Sequence, residues 1–146
     1  MDRRLQIVLD AHDPRAVGTF WAHVLGYVED PPPEGFATWE ETLRAWGLPE
    51  DRWNDAYAVV DPAGVGPRLF LQKVPEGKTV KNRLHLDVGL PGAPTRRGGP
   101  PDRDGIRARA TELEALGARR VREVDDEQQG YWIVLQDPEG NEFCLV

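Results

Sequence analysis

The stretch Trp132-Ile-Val-Leu-Gln-Asp-Pro-Glu-Gly-Asn-Glu-Phe-Cys-Leu-Val146 closes the chain and decides how the rest is read. An apolar run meets a tight turn at Asp137-Pro138-Glu139-Gly140, and an alternating run follows from Asn141 to Val146. That pattern predicts two antiparallel strands joined by a short turn. The same phrase occurs half a chain earlier, as Tyr57-Ala-Val-Val-Asp61-Pro62-Ala63-Gly64 followed by Arg68-Leu-Phe-Leu-Gln72. Its recurrence raises the question of a duplication.

What precedes each hairpin also repeats. Leu5-Gln-Ile-Val-Leu-Asp10 reads as a strand with Leu5, Ile7 and Leu9 on one face and Gln6, Val8 and Asp10 on the other. Asp13-Pro14 then supplies an N-cap and a first helical residue, and Val17, Phe20, Trp21 and Val24 form one apolar stripe before Gly26. In the second half, Arg83-Leu-His-Leu-Asp-Val88 alternates like the first strand, with His85 and Asp87 on its polar side. A loop rich in Pro, Gly and Arg spans Pro91 to Pro101. A helix from about Asp102 to Leu116 should bury Ile106, Ala110, Leu113 and Leu116 and stop at Gly117, ahead of a strand over Ala118–Val124 and a polar turn at Asp125–Gln129. Each half thus reads strand, helix, glycine, strand, strand, Asp-Pro-x-Gly, strand. One βαβββ unit leaves a sheet face uncovered, so two such units are expected to pair around a cup, as an α+β fold with a cupped mixed sheet and the helices outside. The expected organisation is one domain over 1–146, with module one at about 1–78 and module two at about 82–146.

Composition narrows the function. At 146 residues, 40% hydrophobic and 29% charged, the chain can bury a core and belongs with soluble globular proteins. Its formal charge of -7 argues against a nucleic-acid partner, which needs a basic stripe. The pair Arg96-Arg97 sits in the Gly/Pro-rich loop and reads as solvated. No apolar run approaches the roughly 18 residues of a membrane span, and Met1-Asp-Arg-Arg opens no signal peptide, so no membrane association is expected. A lone cysteine, Cys144, precludes an internal disulfide and fits a cytoplasmic setting.

The insert from Phe36 to Trp53 is dense in aromatics. Thr38-Trp-Glu-Glu41 has capping-box spacing, and a helix should run to about Trp46 before Gly47-Leu-Pro49 breaks it. Trp39, Trp46 and Trp53 are read either as a satellite core or as an aromatic wall over a ligand pocket.

These residues resemble the vicinal oxygen chelate superfamily, the glyoxalase/bleomycin-resistance/dioxygenase group, in its glyoxalase-like branch. The resemblance covers essentially the whole chain. It rests on Phe20-Trp21…Leu25-Gly26-Tyr27, on Val74-Pro75-Glu76…Lys81-Asn82-Arg83-Leu84-His85-Leu86-Asp87, and on Asp137-Pro-Glu-Gly-Asn-Glu-Phe-Cys144. It implies a divalent metal (Zn, Ni, Mn or Fe) held by the first and last strand of each half and polarising two adjacent substrate oxygens. The first-strand positions map to Gln6 and His85, a weak and a good ligand respectively. The last-strand position of the second half falls on Cys144, with Glu142 two residues away on the same face. In the first half it falls on Phe70, or on Gln72 if Val65-Gly66 lengthens the turn. That set lacks the two histidines and carboxylate of an iron dioxygenase and the two carboxylates of a glyoxalase I.

Two functions follow from the resemblance. One is a small-molecule enzyme of lyase or isomerase type acting on an oxygenated substrate, with His85 as acid or base and Glu142 orienting it. Gln6, Gln72, Asp87 and Cys144 would then line the ligand. The alternative is a metal-free protein of the bleomycin-resistance type that sequesters an antibiotic-like ligand against Trp39, Trp46 and Trp53. Either implies a homodimer.

Overall fold

A computed structural model of the chain describes residues 4–93 and 100–146, so Met1–Arg3 and the Arg96-Arg97 pair lie outside the described residues. The chain divides into two units, Met1–Gly77 and Lys78–Val146. Each holds one four-stranded mixed sheet that does not close on itself. With three α-helices among the described residues, the fold is α+β.

In the first unit the chain runs through β1 (Gln6–Ala11), α1 (Pro14–Leu25), β2 (Val28–Glu29), α2 (Trp39–Ala45), β3 (Ala56–Val60) and β4 (Arg68–Lys73). The sheet order is β1-β4-β3-β2. β1 lies parallel to β4, with Gln6 opposite Arg68, Val8 opposite Phe70 and Asp10 opposite Gln72. The other pairings are antiparallel. α1 starts where the Asp13 carboxylate accepts the Ala16 N–H at 3.1 Å and stops at Gly26, whose φ of 69° suits a residue without a Cβ.

Helix and sheet in this unit meet very closely. A Cβ placed on Gly18 would stand 2.3 Å from Tyr57 Cδ1 and 3.1 Å from Leu71 Cδ1. Tyr57, Val59, Leu69 and Leu71 therefore face α1, and Gln6, Val8, Asp10, Arg68, Phe70 and Gln72 occupy the opposite, open face. Val17, Phe20, Trp21, Val59, Leu69 and Leu71 are buried. Each contributes roughly 1.5–3 kcal/mol of burial free energy.

The second unit contains β5 (Asp87–Val88), α3 (Arg103–Ala115), β6 (Arg119–Asp126), β7 (Gly130–Gln136) and β8 (Glu142–Leu145), in sheet order β5-β8-β7-β6. β5 is parallel to β8, as β1 is to β4. The Arg103 and Arg107 guanidinium groups of α3 lie 5.4 and 5.5 Å from the Tyr131 ring centroid. Tyr131, Ile133 and Leu135 consequently face the helix, and Trp132, Val134 and Gln136 face away from it.

The repeated turn is built the same way twice. Asp61 accepts the N–H groups of Ala63, Val65 and Gly66 at 2.9, 3.1 and 2.8 Å. Asp137 accepts those of Glu139 and Asn141 at 2.9 and 3.0 Å, together with the Asn141 amide. The turn glycines Gly64 and Gly140 have φ of 69° and 92°.

Three local expectations change. The strand expected over Arg83–Val88 is confined to Asp87–Val88, and Leu84 is exposed. The ladder begins only where Cys144 N–H reaches Leu86 O at 2.9 Å, because the chain ahead of it is drawn toward Glu142. Leu116 is the C-cap of α3 and is exposed, since the helix ends before the stripe reaches it. β6 runs on to Asp126, two residues into the expected turn. No helix among the described residues is long and apolar enough to cross a membrane.

Candidate functional site

On the open face of the first sheet, parallel pairing brings the side chains of β1 and β4 into rows. Gln6 Oε1 accepts from Arg68 Nη1 at 2.8 Å. The same guanidinium donates through Nε and Nη2 to Asp30 Oδ2, at 2.8 and 2.7 Å, and lies 5.2 Å from the Phe70 ring centroid. Two rows on, Gln72 Nε2 donates to Asp10 Oδ1 at 2.7 Å. Gln6 and Gln72 share a face, each engaged by a neighbour on the adjacent strand. A hollow of about 680 Å³ at this end of the sheet is lined by Arg4, Gln6, Asp61, Val65 and Arg68 among others.

The open face of the second sheet carries Asp87, Cys144, Val134 and Arg122 in one row and Glu142, Gln136 and Arg119 in the next. Glu142 and Cys144 point the same way, as alternation requires. The Cys144 thiol is pushed up by burial, by the Asp87 charge and by its hydrogen bond to Asp87, so it stays protonated at neutral pH.

Glu142 sits in a clamp. Its Oε2 accepts the Asn82 N–H at 3.0 Å and lies 3.2 Å from Lys78 Nζ. Burial works against its charge. The Asn82 and Glu142 N–H groups and the Lys78 ammonium outweigh that and hold the carboxyl at about 2. The carboxylate thus secures the segment from Lys78 to Asn82, where a partnership with His85 was expected.

His85 is exposed, just ahead of β5. Its Nε2 lies 2.7 Å from Lys81 Nζ. An ammonium can only donate, so Nε2 is placed to accept in this contact. Glu142 holds Asn82, the neighbour of Lys81, and so fixes the backbone that presents Lys81 to His85.

The three tryptophans of the insert have different partners. Trp39 and Trp46 meet edge to face at 6.3 Å. The Trp39 indole N–H donates to the Asp30 carbonyl, and Trp46 is 62% exposed. Trp53 instead donates to Leu48 O and carries the Arg44 guanidinium 5.3 Å from its ring centroid.

The metal implied by the resemblance can be weighed against this donor set. Among the described residues of either unit, no three His, Cys, Asp or Glu side chains gather closely enough to hold one ion. Gln6 Oε1, His85 Nε2 and the Glu142 carboxylate each already face a cation of the chain, which a metal would have to displace. No chemical step is therefore routed through a metal. Arg68, Lys78 and Lys81 were not singled out by sequence reasoning. Arg68 was open to discovery, since it shares the strand face of Phe70 and Gln72. The two lysines lie in a loop with no periodicity to read.

Two βαβββ units with a repeated Asp-anchored turn and polar open faces define the class of fold. The chain belongs to the glyoxalase-like domain family, whose model matches residues 6–146. No curated protein matches the sequence. Among solved structures it is similar to a glyoxalase/bleomycin resistance protein/dioxygenase family enzyme from Burkholderia phytofirmans, with 16% identity over 96% of this chain and 94% of that one and a TM-score of 0.59. It is also similar to the fosfomycin resistance protein FosX from Listeria monocytogenes, at 13% identity over 99% and 92% of the two chains and a TM-score of 0.62. A mutant of that protein, solved with Mn(II) and a dihydroxypropylphosphonic acid, is 14% identical over 99% and 92%, with a TM-score of 0.61. At these identities the likeness concerns the fold.

Proposed function

We propose that this glyoxalase-like domain is a small-molecule enzyme of the isomerase or lyase type, with His85 and Lys81 as its acid–base pair. The observation that carries the reading is the 2.7 Å approach of Lys81 Nζ to His85 Nε2 on an exposed ring. In a substrate bearing a C–H next to a carbonyl, Nε2 takes the carbon-bound proton. The electron pair moves onto the carbonyl oxygen, and the Lys81 ammonium shifts from Nε2 to that oxygen as charge develops there. Where the deprotonated carbon carries a hydroxyl, that hydroxyl proton passes to the former carbonyl oxygen, and His85 returns the carbon-bound proton to the adjacent carbon, which completes an isomerisation. Glu142 is the positioning residue, acting through the Lys78–Asn82 segment. Asp87 and Cys144, on the same sheet, are assigned to ligand contact, with a homodimer in a cytoplasmic setting as the working assembly.

The exposure of Trp46 beside Trp39 favours a second reading, in which the domain sequesters an aromatic ligand without turning it over. Deuterium uptake from solvent, followed by NMR over a panel of α-hydroxycarbonyl compounds, separates the two. The enzyme reading expects uptake by wild type and none by His85→Gln. Tight binding that quenches Trp fluorescence with no uptake by wild type would leave the sequestering reading standing.

A further inference from the structure

We infer that this chain carries its own cations in place of a divalent metal: Arg68 on Gln6, Lys78 on Glu142 and Lys81 on His85 exclude a metal ion from these donors. Each pair lies wholly within its own unit. Arg68 is in the first, with 2.8 Å to Gln6 Oε1. Lys78 and Lys81 are in the second, at 3.2 Å from Glu142 Oε2 and 2.7 Å from His85 Nε2.

Two of the caps, Arg68 and Lys78, are fixed in place. Asp30 holds Arg68 through two nitrogens, and a guanidinium does not lose its proton to make room. The side chains of Lys78 and Glu142 are only 21% and 12% exposed, so water screens their attraction weakly. Charge accounting points the same way. Arg68 is neutralised by Asp30 and Lys78 by Glu142, while Lys81 leaves the second unit's group net positive. A divalent ion is drawn to excess negative charge in a site, and these groups offer none. Further carboxylates on the two open faces are also engaged, Asp10 by the Gln72 amide, Asp87 by the Cys144 thiol and Asp126 by the Gln128 and Gln129 N–H groups. The inference holds whether or not the domain turns a substrate over.

The test is metal uptake by the purified full chain, with no activity readout. Chelator-treated wild type, Lys81→Met and Lys78→Met/Lys81→Met are titrated with Mn(II), Ni(II) and Zn(II), and bound metal is counted by mass spectrometry. The His85 imidazole resonances are followed in parallel. Wild type is expected to stay far below one equivalent, with His85 unmoved. Lys81→Met should bind Ni(II) or Zn(II) roughly tenfold more tightly, with His85 shifted. Because Lys81 is exposed, this variant keeps the test alive if the double variant fails to fold. One equivalent on wild type with His85 perturbed would overturn the inference. So would uncapped variants that gain nothing.

Discussion

The ammonium of Lys78 stands 3.2 Å from the carboxylate of Glu142, and the Asn82 N–H meets the same oxygen at 3.0 Å. A residue that reads in the sequence as a metal ligand or a histidine partner is thereby committed to holding a loop. Its carboxyl is depressed to about 2 from an ordinary 4.5. A depressed acid stabilises the fold above its unfolded value, and that contribution fades as pH falls toward the folded one. Glu142→Gln should therefore cost roughly 2 kcal/mol near neutrality, with the gap from wild type closing between about pH 4.5 and pH 2. Urea midpoints across that range check it. A gap that does not change with pH would show that the lost charge is not the cause.

The twin turns should differ in what their aspartates contribute. Asp137 is 2% exposed, and its truncation leaves the part-buried N–H groups of Glu139 and Asn141 without their acceptor. Asp137→Ala should cost roughly 2–4 kcal/mol. Asp61 holds its turn at a more open position, where water replaces the lost acceptor, so Asp61→Ala should cost clearly less. Denaturant unfolding of the two variants ranks them.

An alanine at a helical glycine normally stabilises. Gly18 reverses that rule. The new methyl would stand 2.3 Å from the Tyr57 ring, and the helix must lift off β3 to admit it. Gly18→Ala should lose roughly 1–3 kcal/mol by overpacking, read as a lowered thermal midpoint with unchanged helical circular dichroism. A raised midpoint would mean that Tyr57 swings aside freely.

Cys144 should be inert in the native protein. Burial and Asp87 both keep it a thiol, so iodoacetamide should label it slowly until urea is added. Asp87→Asn should speed native labelling while leaving the unfolded rate unchanged. Rapid native labelling of wild type would contradict the burial.

The elements that were legible in the sequence are those controlled by neighbouring residues. Asp13, Thr38 and Asp102 each cap the helix that the spacing predicts, and the Asp-Pro-x-Gly phrase makes the same turn twice. The strand before β5 was misread because alternation in Leu84, Leu86 and Val88 says nothing about the clamp at Glu142, some 60 residues away in the chain. The site was less legible for the same reason. Gln6 and His85 were visible by parity, yet Arg68, Lys78 and Lys81 acquire their roles only from pairings across the fold, and local pattern does not encode these.

Parallel pairing of β1 with β4, and of β5 with β8, has a consequence for how the chain comes into being. Among the described residues, the first strand of each unit finds its ladder partner in that unit's last strand. As the polypeptide is synthesised, β1 stays without this partner until Lys73 is made, and β5 until Leu145 is made. Each unit is thus withheld from completion until its end is synthesised, and such long-range closure is slow. A nascent chain in which β8 is still unfinished would present β5 open to other strands, a state that chaperones recognise.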